Sequence, residues 1–263
     1  MTEMKKHEPG MFCWVELATK DGPAATKFYT SLFDWGVNEL AGEAGTYSMV
    51  QKKGKEAGAL YQLGPQQKGV PSHWNSYICV ESADESAAKA KKLGGKVILE
   101  PFDVMEHGRM ANIQDPTGAV FSVWQPKEHI GAQIVNEPGS FCWNELYTTD
   151  PKRAGDFYSG LFEWTRELMP MPPPAGEYTI FKEGDAQAAG MMKIPKEMGP
   201  VPPHWLVYFA VDDSDKTAEK AKGMGGEVMV PPTDIPNIGR FAILNDPQGA
   251  GFAVIRLEPR QQM

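Results

Sequence analysis

Cysteine is scarce in this 263-residue chain, limited to Cys13, Cys79 and Cys142, with no CxxC spacing among them. That number and placement support neither a disulfide framework nor a zinc site. Cys13 and Cys142 fall in short runs that read as strands, where a free thiol commonly behaves as a small buried hydrophobe. A reducing, cytoplasmic location is the expectation. Long apolar runs are missing too, none approaching the roughly 20 residues that span a bilayer. The opening residues, MTEMKKHEPGMFCW, hold two lysines but neither the apolar stretch nor the cleavage site of a secretory signal. Positive charge is in deficit. The 26 Lys and Arg against 34 Asp and Glu leave a net charge of −8. The cluster KAKK, Lys89 to Lys92, reads as a solvated helix face. Nucleic acid and membrane are therefore not expected partners. Nor is there a GxSxG, a Walker A loop or a Rossmann glycine pattern. A small-molecule ligand remains, in a monomer or homodimer.

What the chain does have, it has twice. PGMFCWVEL (Pro9 to Leu17) returns as PGSFCWNEL (Pro138 to Leu146), changed at two positions. DGPAATKFYTSLFDW (Asp21 to Trp35) matches DPKRAGDFYSGLFEW (Asp150 to Trp164). After a two-residue insertion in MPMPPP (Met169 to Pro174), the segment from His73 to Val97 matches His204 to Val228. Gly108 to Trp124 then matches Gly239 to Ile255. A period of about 130 residues is domain-sized, far beyond a solenoid repeat. The expected organisation is a tail over 1–8, a first domain over 9–127, a linker over 128–137, a second domain over 138–258 and a tail over 259–263. Halves of about 120 residues suggest that each buries its own core.

Within each half FCWVELAT alternates as a strand, and Asp21 with Pro23 starts a helix carrying Phe28, Leu32 and Trp35 at helical spacing. Two or three short strands follow. A strand over NSYICV, a helix from Ser82 stopped by Gly94-Gly95, and strands to Trp124 repeat the order. DPTG and DPQG read as turns between the last two strands. Strand, helix and three strands, twice per half, is an α+β arrangement.

A strand, then D…FYxxLFxW, then a strand and helix ending in Gly-Gly, then R…DPxGaxF resembles the vicinal oxygen chelate superfamily. That group includes glyoxalase I, extradiol dioxygenases and the bleomycin- and fosfomycin-resistance proteins. Within it the chain is similar to tandem two-domain glyoxalase-like proteins labelled as hydroxylases. The resemblance covers residues 9–258. It implies two tandem domains, each built from two βαβββ modules forming a cupped sheet. In metal-dependent members the cup holds a divalent ion through His, Gln or Glu. The matching positions here are Trp14, Asn75 and Ser122 in the first half and Trp143, Leu206 and Ala253 in the second. Trp, Leu and Ala cannot ligate such an ion, and Asn or Ser is weak without anionic company. Neither metal nor cofactor is expected at those positions. A displaced site is the alternative. His73 and His204 lie two residues before the expected ligand, and Glu16 and Glu145 two beyond, so alternation keeps them on the same face.

If the register holds, Trp14, Glu16, Asn75, Tyr77, Val120, Ser122 and Trp124 line the first cup. Trp143, Glu145, Tyr147, Tyr208, Ala253 and Ile255 line the second. Aromatic walls with few polar groups suit an organic ligand; equally, aromatic side chains fill small barrels. Three readings follow: a metal-independent protein binding a partly aromatic metabolite or drug; a glyoxalase- or dioxygenase-type lyase or hydroxylase using a displaced metal or Glu16 or Glu145 as general base; or an interaction protein with filled cups. In the last, Arg109 and Arg240 are the candidate partners of the two carboxylates.

Overall fold

The computed structural model describes residues 3–42, 45–170 and 176–258. Most of the Pro-rich insertion and the tail over 259–263 lie outside the described residues. The first half runs β1 (Phe12–Thr19), α1 (Gly22–Phe33), β2 (Gly36–Gly42), β3 (Gly45–Lys52), β4 (Lys55–Gln62), β5 (His73–Cys79), α2 (Ala83–Lys92), β6 (Lys96–Val104), β7 (Gly108–Gln114) and β8 (Val120–Pro126). The second repeats it as β9 (Phe141–Thr148), α3 (Pro151–Phe162), β10 (Thr165–Pro170), β11 (Glu177–Glu183), β12 (Ala186–Lys193), β13 (His204–Ala210), α4 (Ser214–Gly223), β14 (Glu227–Ile235), β15 (Gly239–Asn245) and β16 (Gly251–Leu257).

Local chemistry sets these boundaries. The Asp21 carboxylate caps α1 by accepting from the Ala24 amide at 3.0 Å, with a proline in the first turn. Asp150 does the same for α3. Ser82 and Asp213 cap α2 and α4. In the turn after β7, Asp115 Oδ1 accepts the amides of Thr117, Gly118 and Ala119 at 2.7, 2.8 and 3.1 Å, so the DPxG segment is held by its own aspartate.

Two eight-stranded sheets result, ordered β2-β3-β4-β1-β5-β8-β7-β6 and β10-β11-β12-β9-β13-β16-β15-β14. The two βαβββ modules of each half meet at the antiparallel β1–β5 and β9–β13 pairs, so modules pair within a half. This is the α+β tandem arrangement expected from the repeat.

The two halves nevertheless share one core. Val15 and Leu17 on the outer face of β1 are fully buried, and one apolar cluster runs through residues of both sheets. The first helices cross over. Tyr29 of α1 packs on Phe252 at 5.3 Å and donates to Asp246 Oδ2 at 3.1 Å. Tyr158 of α3 packs on Phe121 at 5.4 Å. The Trp35 indole donates to the Gly139 carbonyl at 2.6 Å, and Trp164 to that of Gly10 at 3.0 Å. Where the sheets meet, Ser76 donates to Asn144 at 2.6 Å. The expectation that each half buries its own core is corrected: helix-end aromatics of one half fill the space behind the sheet of the other.

The stretch expected as a linker is also built into the first half. The Ala132 amide donates to Cys13 O at 2.7 Å and that of Gln133 to Glu56 O at 2.8 Å. Residues of the N-terminal tail join it, with the Met4 amide on Gln133 O and His7 Nε2 2.8 Å from Ala132 O. Gly131 sits at φ 103°, and a Cβ there would strike the Cys13 carbonyl. No helix among the described residues is long and apolar enough to cross a membrane.

Candidate functional site: two carboxyl-centred cups

Alternation on β1 sends Trp14 and Glu16 to the inner face of the first sheet, where the curl of β3 and β5 brings two tyrosines to the carboxyl. Glu16 accepts from Tyr77 at 2.5 Å and from Tyr47 at 2.8 Å. The second sheet repeats the device. Glu145 accepts from Tyr178 at 2.6 Å and from Tyr208 at 3.1 Å, and Trp143 donates to Tyr178 at 3.1 Å.

Both carboxyls are buried, Glu16 at 8% and Glu145 at 6% exposure. Burial raises their pKa above the ordinary value, partly offset by the tyrosine donors. The same burial, with a carboxylate alongside, pushes Tyr47, Tyr77, Tyr178 and Tyr208 well up, so the phenols stay protonated donors. Arginine takes no part. Arg109 forms a fork on Asp84 at 2.6 and 2.9 Å, and Arg240 on Asp215 at 2.7 and 2.9 Å. The expected Arg–Glu pairing is thus corrected; the arginines tie the second helix of each half to the end of its sheet.

Of the first cup's expected residues, Trp14, Glu16, Tyr77, Ser122 and Trp124 are all buried, and Asn75 is 8% exposed. Asn75 and Asn112 both donate to Ser122, at 2.8 and 3.1 Å, in a small closed polar cluster beside Glu16. In the second cup the counterparts are Leu206, Ile243 and Ala253, which with Tyr147, Tyr208 and Ile255 form a separate apolar cluster. A surface hollow of about 460 Å³ lies outside both cups, along Gln62 to Val70 beside Lys20.

Three participants escape the sequence reading. Tyr47 and Tyr178 are repeat equivalents on β3 and β11, but the two-residue insertion before β11 breaks the register that would have paired them. His129 comes from the presumed linker. Its ring stands edge-on to Trp14 at 4.8 Å and to Trp124 at 5.9 Å. Its carbonyl accepts the Trp124 indole at 2.9 Å, and its Nε2 lies 3.2 Å from Glu56. No sequence pattern marks a loop histidine for such a place.

His73 and His204 stand at the entrances of β5 and β13, each with Nδ1 2.9 Å from the carbonyl of a proline two residues earlier. His204 also stacks on Tyr147 at 5.3 Å. Among the described residues no three His, Cys, Asp or Glu side chains are grouped so as to hold a metal ion.

The sequence profile described as Glyoxalase/Bleomycin resistance protein/Dioxygenase superfamily matches residues 12–123 and again 129–254. CFP32 of Mycobacterium tuberculosis, whose description as a glyoxylase is provisional, is 45% identical over 99% of this chain and 100% of its own. The anthracycline biosynthesis protein DnrV of Streptomyces peucetius is 36% identical over 97% of this chain and 96% of its own. Among solved structures, the Mn(II)-bound glyoxalase of Novosphingobium aromaticivorans superposes with a TM-score of 0.65 at 16% identity, covering 95% of this chain and 83% of that one. The 2,3-dioxygenase LapB of Pseudomonas sp. KL28 gives 0.66 at 11% identity, over 94% and 91%. At such identities these two are likenesses of fold.

Proposed function

Since the chain belongs to the glyoxalase/bleomycin resistance protein/dioxygenase superfamily, we propose that it is a metal-independent binding protein for a partly aromatic small molecule, held against the carboxyl of a cup. The observation that carries this reading is the carboxyl itself. A buried carboxyl with no cation beside it lowers stability, yet one sits at the centre of each half, gripped by phenols and flanked by an indole. Such perturbed groups concentrate at functional sites. The donors around each carboxyl are phenols, an indole and, in the first cup, amides. That set does not fit a divalent cation, which needs several anionic or imidazole ligands. A relative named for anthracycline biosynthesis adds weight to a polycyclic aromatic ligand.

The raised carboxyl pKa supports a second reading, in which Glu16 or Glu145 moves a proton as a general acid or base. Both readings place the ligand on the same atoms. The test is titration of protein prepared in chelator with 1-hydroxyanthraquinone, followed by tryptophan quenching, on wild type and on Glu16→Gln and Glu145→Gln. A hydrogen bond to a charged group is worth about 1.5–3 kcal/mol, so loss of the engaged carboxylate weakens binding about 10-fold or more. Elemental analysis should find no stoichiometric transition metal. One bound metal per chain needed for binding, or affinity indifferent to both substitutions, refutes the proposal.

A further inference from the structure

Although the two cups descend from one repeat, their floors differ, and so does the exposure of their indoles, with Trp14 buried and Trp143 half-buried. We infer that only the second cup takes a ligand, a neutral, flat, largely apolar molecule with a hydroxyl donor, while the first is closed by the strap that follows β8. This rests on the proposed small-molecule function and adds which site serves it and for what chemistry.

Closure of the first cup is built from several bonds. His129 covers the edge of Trp14 and meets Trp124. The strap is held by Ala132 on Cys13 and by Gln133 on Glu56, at 2.7 and 2.8 Å. Trp124 anchors it from within through its indole on the His129 carbonyl. Gly108 lets that indole lie flat across β7, since a Cβ there would overlap the Trp124 ring. Trp14 is left 5% exposed. The polar groups beneath are spent on one another: Asn75 and Asn112 share Ser122, and Glu16 holds two short bonds from tyrosines. A ligand would have to displace the strap and break a satisfied network.

The second cup is arranged differently. Trp143, the counterpart of Trp14, is half-buried. Around it Met192, Met198, Val230 and Phe241 are likewise partly buried and pack on the apolar floor. Methionine side chains adapt to a guest at small cost. Trp124 is replaced by Ile255 and Ser122 by Ala253, which removes a ring and a hydroxyl from the floor. Glu145 accepts two hydrogen bonds as Glu16 does, but the one from Tyr208, at 3.1 Å, is longer than either at Glu16. The Glu145 carboxylate therefore retains acceptor capacity for a ligand hydroxyl. Gly190 keeps this wall flat, because a Cβ there would collide with the Tyr178 ring and lie 2.9 Å from the Trp143 indole nitrogen. An anionic guest beside the Glu145 carboxylate would meet like charge, which favours a neutral one.

The test is calorimetric and fluorescence titration of the full chain with 1-hydroxyanthraquinone, comparing wild type, Trp14→Phe and Trp143→Phe, and Glu16→Gln with Glu145→Gln. The expected result is one equivalent bound per chain. Quenching should be lost in large part with Trp143→Phe and kept with Trp14→Phe. Affinity should fall about 10-fold with Glu145→Gln and less than about 2-fold with Glu16→Gln. Calorimetry on the wild type gives the stoichiometry even if a variant folds poorly. Two equivalents per chain, or dependence on Trp14 and Glu16, overturns the division between cups while leaving small-molecule binding in place. No binding at all overturns both.

Discussion

Replacing Tyr29 by Phe removes one oxygen from the most shared point of the core. The ring would stay, packed among Phe28, Trp35, Trp74 and Phe252. What goes is a hydroxyl that donates to Asp246 Oδ2 at 3.1 Å and accepts the Trp74 indole at 3.0 Å. Both partners are buried, Trp74 at 6% and Asp246 at 3% exposure. Trp74 would keep a stranded N–H, at a cost of about 1–3 kcal/mol, and Asp246 would lose a donor worth about 1.5–3 kcal/mol to a charged group. Asp246 Oδ1 still holds the amides of Gln248 and Ala250, and the two losses share one atom, so they do not add in full. The expected net loss is about 3 kcal/mol. For a chain this long that lowers the melting temperature by about 5–10 °C. Urea denaturation followed by both far-ultraviolet circular dichroism and tryptophan fluorescence measures it. Because Tyr29 ties α1 of one half to a turn of the other, both signals should shift together in one transition. A loss below about 1 kcal/mol, or a split transition in which one half keeps its wild-type midpoint, refutes the shared-core argument.

Two further outcomes follow from the same contacts. The pKa values of Glu16 and Glu145 are raised by burial above the ordinary carboxyl value in the folded state. The native protein therefore holds more protons than the unfolded chain, and stability present below that value is lost as pH rises through the raised ones. Each tenfold change in acidity is worth about 1.4 kcal/mol. The double variant Glu16→Gln/Glu145→Gln should show a shallower fall in urea stability as pH rises above the ordinary carboxyl value of about 4.3, and a wild-type slope would contradict the assignment. Fragments 1–128 and 136–263 should each lack cooperative unfolding alone and regain it when mixed. A sharp melt of either fragment by itself would show that the crossed helices are dispensable.

The repeat made the architecture legible before any coordinates. Asp21 and Asp150 announce helix starts, Gly94-Gly95 a helix stop and DPxG a turn, because each acts on backbone groups a few residues away. Period-two alternation likewise put Trp14, Glu16, Trp143 and Glu145 on the inner faces, since that follows from the strand itself. Which groups meet those carboxyls was not legible. Tyr47, Tyr178 and His129 reach the cups from strands and a strap distant in sequence, through sheet curl and chain path that no local pattern encodes. One of the two differences inside the repeated nonapeptide shows the same limit. Val15 becomes Asn144 where the backs of the sheets meet: Asn144 accepts from Ser76, while the counterparts Val15 and Val207 are apolar and fully buried. Local rules fixed each half; the contact between halves, a property of the folded pair alone, decided where they had to differ.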